Sequence, residues 1–178
     1  MRKRTMAMAA AIAAMAAIPL SVSSASAAGS AGQWRMENSA SSKCLAIAGG
    51  GTQNAAPAIQ YDCHDNAAEQ IWKWTKVPGS DATYYIENLA THKCLAIGGG
   101  SHANGEPAIQ YDCNHSSEQQ WIYDSTFRLW NNESRKCLAI PGGVSKNAVG
   151  AIQWECEAVY DPNGNSYEQQ WIQENPGA

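Results

Sequence analysis

The chain has 178 residues, of which 44% are hydrophobic and 16% charged, and it contains seven tryptophans, seven tyrosines and six cysteines. This length fits one domain or at most two small ones, and the aromatic content can build a core, which excludes a disordered chain. The formal net charge of −4 argues against nucleic acid as a partner, and no stretch reaches the roughly 18 uninterrupted apolar residues that a membrane-spanning helix needs.

The N-terminal segment, residues 1–27, is predicted to be a secretory signal peptide. A basic head comes first, residues 6–20 form an Ala-rich apolar run, and residues 25–27 read Ala-Ser-Ala, as at a cleavage site. This order is typical of signal peptides, and the apolar run is too short to span a membrane. We therefore expect a secreted, extracellular protein, with a short linker over residues 28–33 and the folded domain over residues 34–178.

All six cysteines follow this segment and form three pairs with the same spacing of 19 positions. The pairs are Cys44–Cys63, Cys94–Cys113 and Cys137–Cys156. Six cysteines in an oxidising compartment allow 15 disulfide pairings, but the equal spacing points to three equivalent units, each closed by its own bridge. Metal binding is the rival interpretation, but the spacing does not fit zinc ligand pairs and no histidine recurs at ligand distance in all three copies. We predict three disulfides, no metal site and no cofactor.

An internal repeat surrounds the cysteine pairs. Lys-Cys-Leu-Ala-Ile occurs at each first cysteine, Ala-Ile-Gln precedes each second cysteine, and every unit closes on Glu-Gln-x-Trp. An asparagine lies six positions before each first cysteine, and a glycine pair follows it by five and six positions. The first cysteines are 50 and 43 positions apart, a period at which self-similarity dictates architecture. The three units cover about residues 34–76, 84–123 and 127–173.

Each unit is predicted to contain four short strands, which in the first unit cover residues 34–38, 43–47, 58–63 and 70–75. Aromatic and β-branched residues fill these segments, and Gly, Asn, Ser and Asp fill the gaps. The glycine pair supplies the positive φ of a tight reversal, and no window has the apolar spacing of a helix. Twelve strands in three copies favour a closed threefold β structure over a propeller, which typically needs four or more blades.

Three cysteine pairs in phase with three closing Gln-x-Trp motifs resemble the ricin B-chain type lectins. The motifs are Gln70-Ile71-Trp72, Gln119-Gln120-Trp121 and Gln169-Gln170-Trp171. The resemblance covers about residues 34–175 and implies an all-β fold, a β-trefoil of three four-stranded repeats with pseudo-threefold symmetry. It also implies that the Gln-x-Trp residues are structural, with buried tryptophans, and that up to one shallow pocket per unit recognises galactose- or xylan-type sugars.

The predicted pockets keep one family feature and lack another. A sugar site needs an apolar plate for one face of the ring and polar groups for its hydroxyls. The family's aromatic residue, two positions before the second cysteine, is present in every unit. These candidate platforms are Tyr61, Tyr111 and Trp154. The family's carboxylate, two positions after the first cysteine, is replaced by alanine in every unit. These alanines are Ala46, Ala96 and Ala139.

The family's pocket glutamine can be placed in two ways. Counting back from the second cysteine without a gap puts isoleucine there, namely Ile59, Ile109 and Ile152. A shift by one residue restores glutamine, and the shifted candidates are Gln60, Gln110 and Gln153. The candidate sugar-binding set includes these glutamines.

Each unit also has a glutamate directly before its closing glutamine, where the family has an asparagine. These are Glu69, Glu118 and Glu168. In one interpretation the carboxylate lines the pocket and accepts hydrogen bonds from sugar hydroxyls. In the other it pairs with the lysine before the first cysteine, an exposed ion pair that contributes about 0–1 kcal/mol. Those lysines are Lys43, Lys93 and Lys136.

Other groups of residues give weaker evidence of function. No Gly-x-Ser-x-Gly motif, metal-binding histidine pair or acid pair in a shared context occurs, so we do not expect an enzyme. The insert in the third unit, residues 161–165, has glycine at its fourth position, whereas a calcium loop needs it at the sixth, so a turn explains it better. Only His64 and His115 lie near equivalent places, and the third unit has no histidine.

The sequence therefore predicts a secreted, monomeric, non-catalytic carbohydrate-binding protein whose partner is an extracellular glycan or polysaccharide, with no nucleic acid partner and no membrane insertion. The alternative is a trefoil with degenerate sugar pockets that contacts proteins, for example as a protease inhibitor. The alanines that replace the family carboxylate favour this alternative.

Overall fold

A computed structural model of the chain describes residues 32–158 and 167–176. Within these ranges the chain forms thirteen β-strands and six 3-10 turns, with no α-helix. The described part also has no helix long and apolar enough to cross a membrane. The predicted signal peptide and the insert at residues 161–165 lie outside the described residues.

The strands alternate with the short turns predicted from the repeat. In chain order they are β1 (Gly32–Asn38), β2 (Lys43–Ile47), β3 (Ala58–Tyr61), β4 (Ile71–Lys76), β5 (Thr83–Asn88), β6 (Cys94–Ile97), β7 (Ala108–Tyr111), β8 (Gln120–Tyr123), β9 (Leu129–Asn131), β10 (Cys137–Ala139), β11 (Val149–Gly150), β12 (Ile152–Trp154) and β13 (Trp171–Glu174). Repeat 1 contains β1–β4, repeat 2 contains β5–β8 and repeat 3 contains β9–β13.

Six strands, two from each repeat, form a closed antiparallel ring. Strand β1 pairs with β13 and β4, and the order continues through β5 and β8 to β9. A bridge between Arg128 and Gln170 joins the β9 end to the β13 end. The pairs β2–β3, β6–β7 and β10–β12 form three hairpins. This architecture is the β-trefoil that the sequence predicted.

The hairpins of successive repeats also contact one another in the same way. The contacting pairs are Pro57–Ile109, Pro107–Ile152 and Gly150–Ile59. In repeat 3 this contact extends by one residue to Val149 and so forms a two-residue strand, β11. Strand β11 thus adds to the twelve predicted strands without changing the topology.

Each closing tryptophan lies fully buried in the core. Its indole N–H donates to the carbonyl of the leucine that follows the first cysteine of the same repeat, at 2.8–3.0 Å. The donor and acceptor pairs are Trp72–Leu45, Trp121–Leu95 and Trp171–Leu138. A buried indole needs such a partner because an unpaired N–H in the core is costly. The predicted burial of the three tryptophans is therefore confirmed.

The three disulfides form within the repeats, as the spacing predicted. They join Cys44 to Cys63, Cys94 to Cys113 and Cys137 to Cys156. Closing a loop of this length stabilises the folded state by roughly 3 kcal/mol in the chain-entropy model. Each repeat is thus closed covalently by its own disulfide.

Four strand ends of repeat 1 differ from the prediction. Strand β1 begins at Gly32 instead of residue 34, and β4 ends at Lys76 instead of residue 75. One side chain explains the other two. Strand β3 ends at Tyr61 instead of residue 63, and β4 begins at Ile71 instead of residue 70. The Gln70 amide donates to the Asp62 carbonyl and accepts from the His64 N–H, both at 2.8 Å. These bonds take the backbone groups that a longer ladder would have used.

Besides the glycine pair, one further backbone position in each hairpin has a left-handed conformation, and we predict that its residue type affects stability. Ala55, Gly105 and Ala148 have φ of 63°, 82° and 62°, and each donates its N–H to a carbonyl of the following repeat at 2.9 Å. Because alanine is strained at positive φ, Ala55→Gly should raise the free energy of unfolding by about 0.5–1 kcal/mol, and Gly105→Ala should lower it by a similar amount. Urea unfolding measures both.

The same alanine-to-glycine change at Ala103, which lies outside the left-handed region, is the matched control. It should destabilise the fold, because glycine there only adds freedom to the unfolded chain. Equal effects of Ala55→Gly and Ala103→Gly would contradict the backbone argument.

Candidate functional site

Two cavities of about 560 and 490 Å³ open on the surface, and they occupy equivalent places in repeats 3 and 1. We call them the repeat 3 cup and the repeat 1 cup. The repeat 1 cup is lined by Ala46, Gly50, Ile59, Tyr61, His64 and Glu69, among others. The repeat 3 cup is lined by Ala139, Gly143, Ile152, Trp154, Glu157 and Glu168, among others. Position by position, these two sets are repeat equivalents.

The aromatic residues predicted as platforms are exposed at the end of a hairpin strand. The exposed fractions are 40% for Tyr61, 43% for Tyr111 and 41% for Trp154. Tyr61 and Trp154 line the two cups beside Ile59 and Ile152 respectively. The isoleucine and the aromatic residue are two positions apart, so the alternation of a strand places them on the same face. Together they form an apolar plate.

The three glutamines predicted as sugar ligands point the other way and are fully buried. The Gln60 amide donates to the Val144 and Lys146 carbonyls at 2.6 and 2.8 Å, and its oxygen accepts from the Ser41 hydroxyl at 2.6 Å. The same three bonds recur at the equivalent residues, Gln110 and Gln153. The expectation that these glutamines bind sugar is therefore wrong.

These glutamines instead join neighbouring repeats. Gln60 lies in repeat 1, and its two carbonyl partners lie in the loop after β10, in repeat 3. The count without a gap, which puts Ile59 and Ile152 in the pocket, agrees with the structure.

The repeated glutamate lines the cup in two of the three repeats, as Glu69 and Glu168. An asparagine of the next repeat along the fold fixes its main chain. The Asn88 amide donates to the Glu69 carbonyl at 2.9 Å, and the Asn38 amide donates to the Glu168 carbonyl at 2.8 Å. Both asparagines are fully buried. In these two cases the asparagine six positions before a first cysteine holds the main chain that carries a cup glutamate.

The interpretation in which this glutamate pairs with lysine is wrong. The lysine before each first cysteine binds the acid before the second cysteine of its own repeat. These ion pairs are Lys43–Asp62 at 2.6 Å, Lys136–Glu155 at 3.7 Å, and Lys93–Asp112. Hydrogen bonds from Lys43 and Asn147 lower the pKa of Asp62, and bonds from Lys93 and Asn54 lower the pKa of Asp112. The two residues of each pair face each other across a hairpin, beside the disulfide.

The closing glutamines position the segment that carries the next cup residue. Gln70 and Gln169 accept the main-chain N–H of the residue directly after the second cysteine, at 2.8 and 2.9 Å. That residue is His64 in repeat 1 and Glu157 in repeat 3, and both line the cups. Sequence reasoning missed this position because it compared His64 with His115. Counting from the cysteine would have shown that its equivalent in repeat 2 is Asn114.

Repeat 2 differs at the edge of the corresponding site. Ala40 belongs to repeat 1 and lines the repeat 3 cup. The equivalent residue at the edge of the repeat 2 site is Glu133, which belongs to repeat 3. The Glu133 carboxylate accepts from the Ser117 hydroxyl and contacts His102 Nε2 at 3.4 Å. These bonds lower the pKa of Glu133. This edge of repeat 2 thus carries a charged residue where the repeat 3 cup has an alanine.

The cups present an apolar plate and carboxylate oxygens, which can stack on a ring and accept hydrogen bonds. Within residues 32–158 and 167–176, no group of three or more His, Cys, Asp or Glu could hold a metal ion.

The family model of the ricin-type β-trefoil lectin domain matches residues 32–171 of the chain. A search of curated proteins gave no match.

Similar solved structures include a designed threefold-symmetric protein, ThreeFoil, with a TM-score of 0.71, 22% identity, and coverage of 80% of this chain and 98% of that one. An exo-β-1,3-galactanase from Clostridium thermocellum has a TM-score of 0.68 and 21% identity over 79% of this chain, which spans 29% of the galactanase chain. The C-half of an earthworm R-type lectin in complex with GalNAc has a TM-score of 0.61, 14% identity, and coverage of 80% and 97%. At these identities the likeness shows the fold.

Proposed function

Because the chain belongs to the ricin-type β-trefoil lectin domain family, we propose that it binds extracellular glycans of the galactose or xylan type, without catalysis, at the cups of repeats 1 and 3. The observation that carries this proposal is the recurrence of one arrangement in two cups. In each, an exposed aromatic side chain lies beside an isoleucine and a glutamate.

This arrangement suits a pyranose ring. One face of such a ring is apolar and stacks on an aromatic side chain, while its hydroxyls need acceptors. The carboxylates of Glu69 and Glu168 supply acceptors in cups that lack the family acid. Two cups on one rigid fold can engage one polysaccharide together, which strengthens weak single contacts.

Secretion and a monomeric state belong to the same proposal. Three disulfides fit an oxidising, extracellular compartment. The predicted signal peptide, residues 1–27, would deliver the chain there.

The proposal predicts that replacing the three platforms together, as Tyr61→Ala, Tyr111→Ala and Trp154→Ala, lowers glycan affinity at least tenfold. The reason is that each change removes the stacking surface while leaving the core intact, since all three side chains are exposed. A glycan array with galactosides and xylan oligosaccharides, followed by titration of the best ligand, measures the effect.

The matched control is Tyr167→Ala, which removes an exposed tyrosine, 53% accessible, that lines neither cup. It should bind as the unmodified protein does. Unchanged glycan binding by the triple variant would discard the platform.

A second candidate function is a protein-interaction module, for example a protease inhibitor. The observation that favours it is alanine at positions 46 and 139, which line the cups where the family has a carboxylate. Pull-down on agarose, xylan and chitin beads with elution by free sugars, run beside a protease inhibition assay, separates the two candidates.

A further inference from the structure

We propose that the repeat 3 cup selects a sugar unit that carries a protonated amine, such as a 2-amino-2-deoxyhexose, and that Glu157 determines this preference. The inference rests on the proposed function, because it assigns a ligand class to one of the two cups.

The starting observation is a charge difference at one position between two cups that are built from equivalent positions of the repeat. The residue after the second cysteine is His64 in repeat 1 and Glu157 in repeat 3. In both repeats its main-chain N–H donates to the closing glutamine, at 2.8 and 2.9 Å. The backbone is therefore held in the same way, and the two cups differ here through the side chain.

The repeat 3 cup combines two carboxylates with an indole. Glu157, Glu168 and Trp154 all line it, and its lining includes no lysine, arginine or histidine among the described residues. The Arg128 guanidinium donates to the Glu157 main-chain carbonyl at 2.7 Å and pairs with Asp124 at 3.0 Å, so a carboxylate outside the cup balances its charge.

This chemistry favours a cation over a neutral sugar. An ammonium group is attracted to the face of an indole, and a carboxylate accepts its N–H in a charge-assisted bond. A neutral hydroxyl or an N-acetyl N–H can also donate to a carboxylate, but it brings no positive charge to the carboxylate or to the face of the indole. The repeat 1 cup has one carboxylate, a phenol and an imidazole, so its lining lacks the second carboxylate and the indole.

The test uses the hexamer of β-1,4-linked glucosamine and its N-acetylated counterpart as probes. Titration calorimetry at about pH 5.5 measures the affinity for each hexamer. We expect the full-length protein to bind the amine hexamer about tenfold more tightly than the acetylated one. Glu157→Gln should bring the two affinities together, and Trp154→Ala should weaken binding of both.

Asp81→Asn is the matched control, because it removes one exposed negative charge from a turn between β4 and β5, away from the cup lining. It should keep the tenfold preference. Equal affinities for the two hexamers in the unmodified protein would overturn the inference, as would equal losses in Asp81→Asn and Glu157→Gln, which would indicate general attraction of a polycation. Binding of neutral galactosides or xylan, measured in parallel, reports on the proposed function separately.

Discussion

Replacing Trp121 by alanine should lower the free energy of unfolding by about 3–5 kcal/mol, the range for removal of a buried tryptophan. The side chain is fully buried, so its loss leaves a cavity within the core that the three repeats share. It also removes the donor to the Leu95 carbonyl at 2.8 Å and leaves a buried acceptor without its partner. Urea unfolding followed by fluorescence and circular dichroism measures the change.

Trp154→Ala is the matched control for this variant, because it is the same substitution at an exposed tryptophan. It should change stability by less than about 1 kcal/mol, as surface substitutions usually do, while weakening glycan binding. Opposite results, with Trp154→Ala unfolding the protein and Trp121→Ala leaving it stable, would contradict the assignment of core and platform.

Replacing Gln60 by leucine should lower the free energy of unfolding by about 3 kcal/mol. The change leaves two loop carbonyls and the Ser41 hydroxyl without their partner, and an unsatisfied buried group costs about 1–3 kcal/mol. Because the two carbonyls belong to repeat 3, the loss should loosen the contact between repeats 3 and 1. Hydrogen exchange of the Ala148 and Asp62 amides, which bond across this contact, locates the effect.

The same variant separates a structural role of Gln60 from a ligand role. The folded fraction of Gln60→Leu should bind glycan as well as the unmodified protein does, because Ile59 and Tyr61, not Gln60, line the cup. Gln53→Leu, at an exposed glutamine, should leave both stability and binding unchanged. A Gln60→Leu protein of normal stability that had lost glycan binding would refute the structural role.

The sequence by itself determined the features that depend on one repeat. Each disulfide closes a single unit, and the tryptophan bonds a leucine of its own repeat, so three copies of one local pattern were enough to predict both. Strand β2 begins and ends at the predicted residues, since turn-forming residues limit it on both sides. The exposed position of Tyr61 was also predictable from the sequence, because this residue lies where the family has its platform.

Only the tertiary structure decided the features that join one repeat to another. Gln60 and Ile59 are adjacent, and a shift of one residue exchanges the two faces of a strand, so the sequence left both in place as pocket candidates. The partners of Gln60 are carbonyls in repeat 3, and the main chain of Glu69 is held by an asparagine of repeat 2. The physical reason is that these contacts are made across the threefold arrangement, over sequence separations that no local spacing encodes.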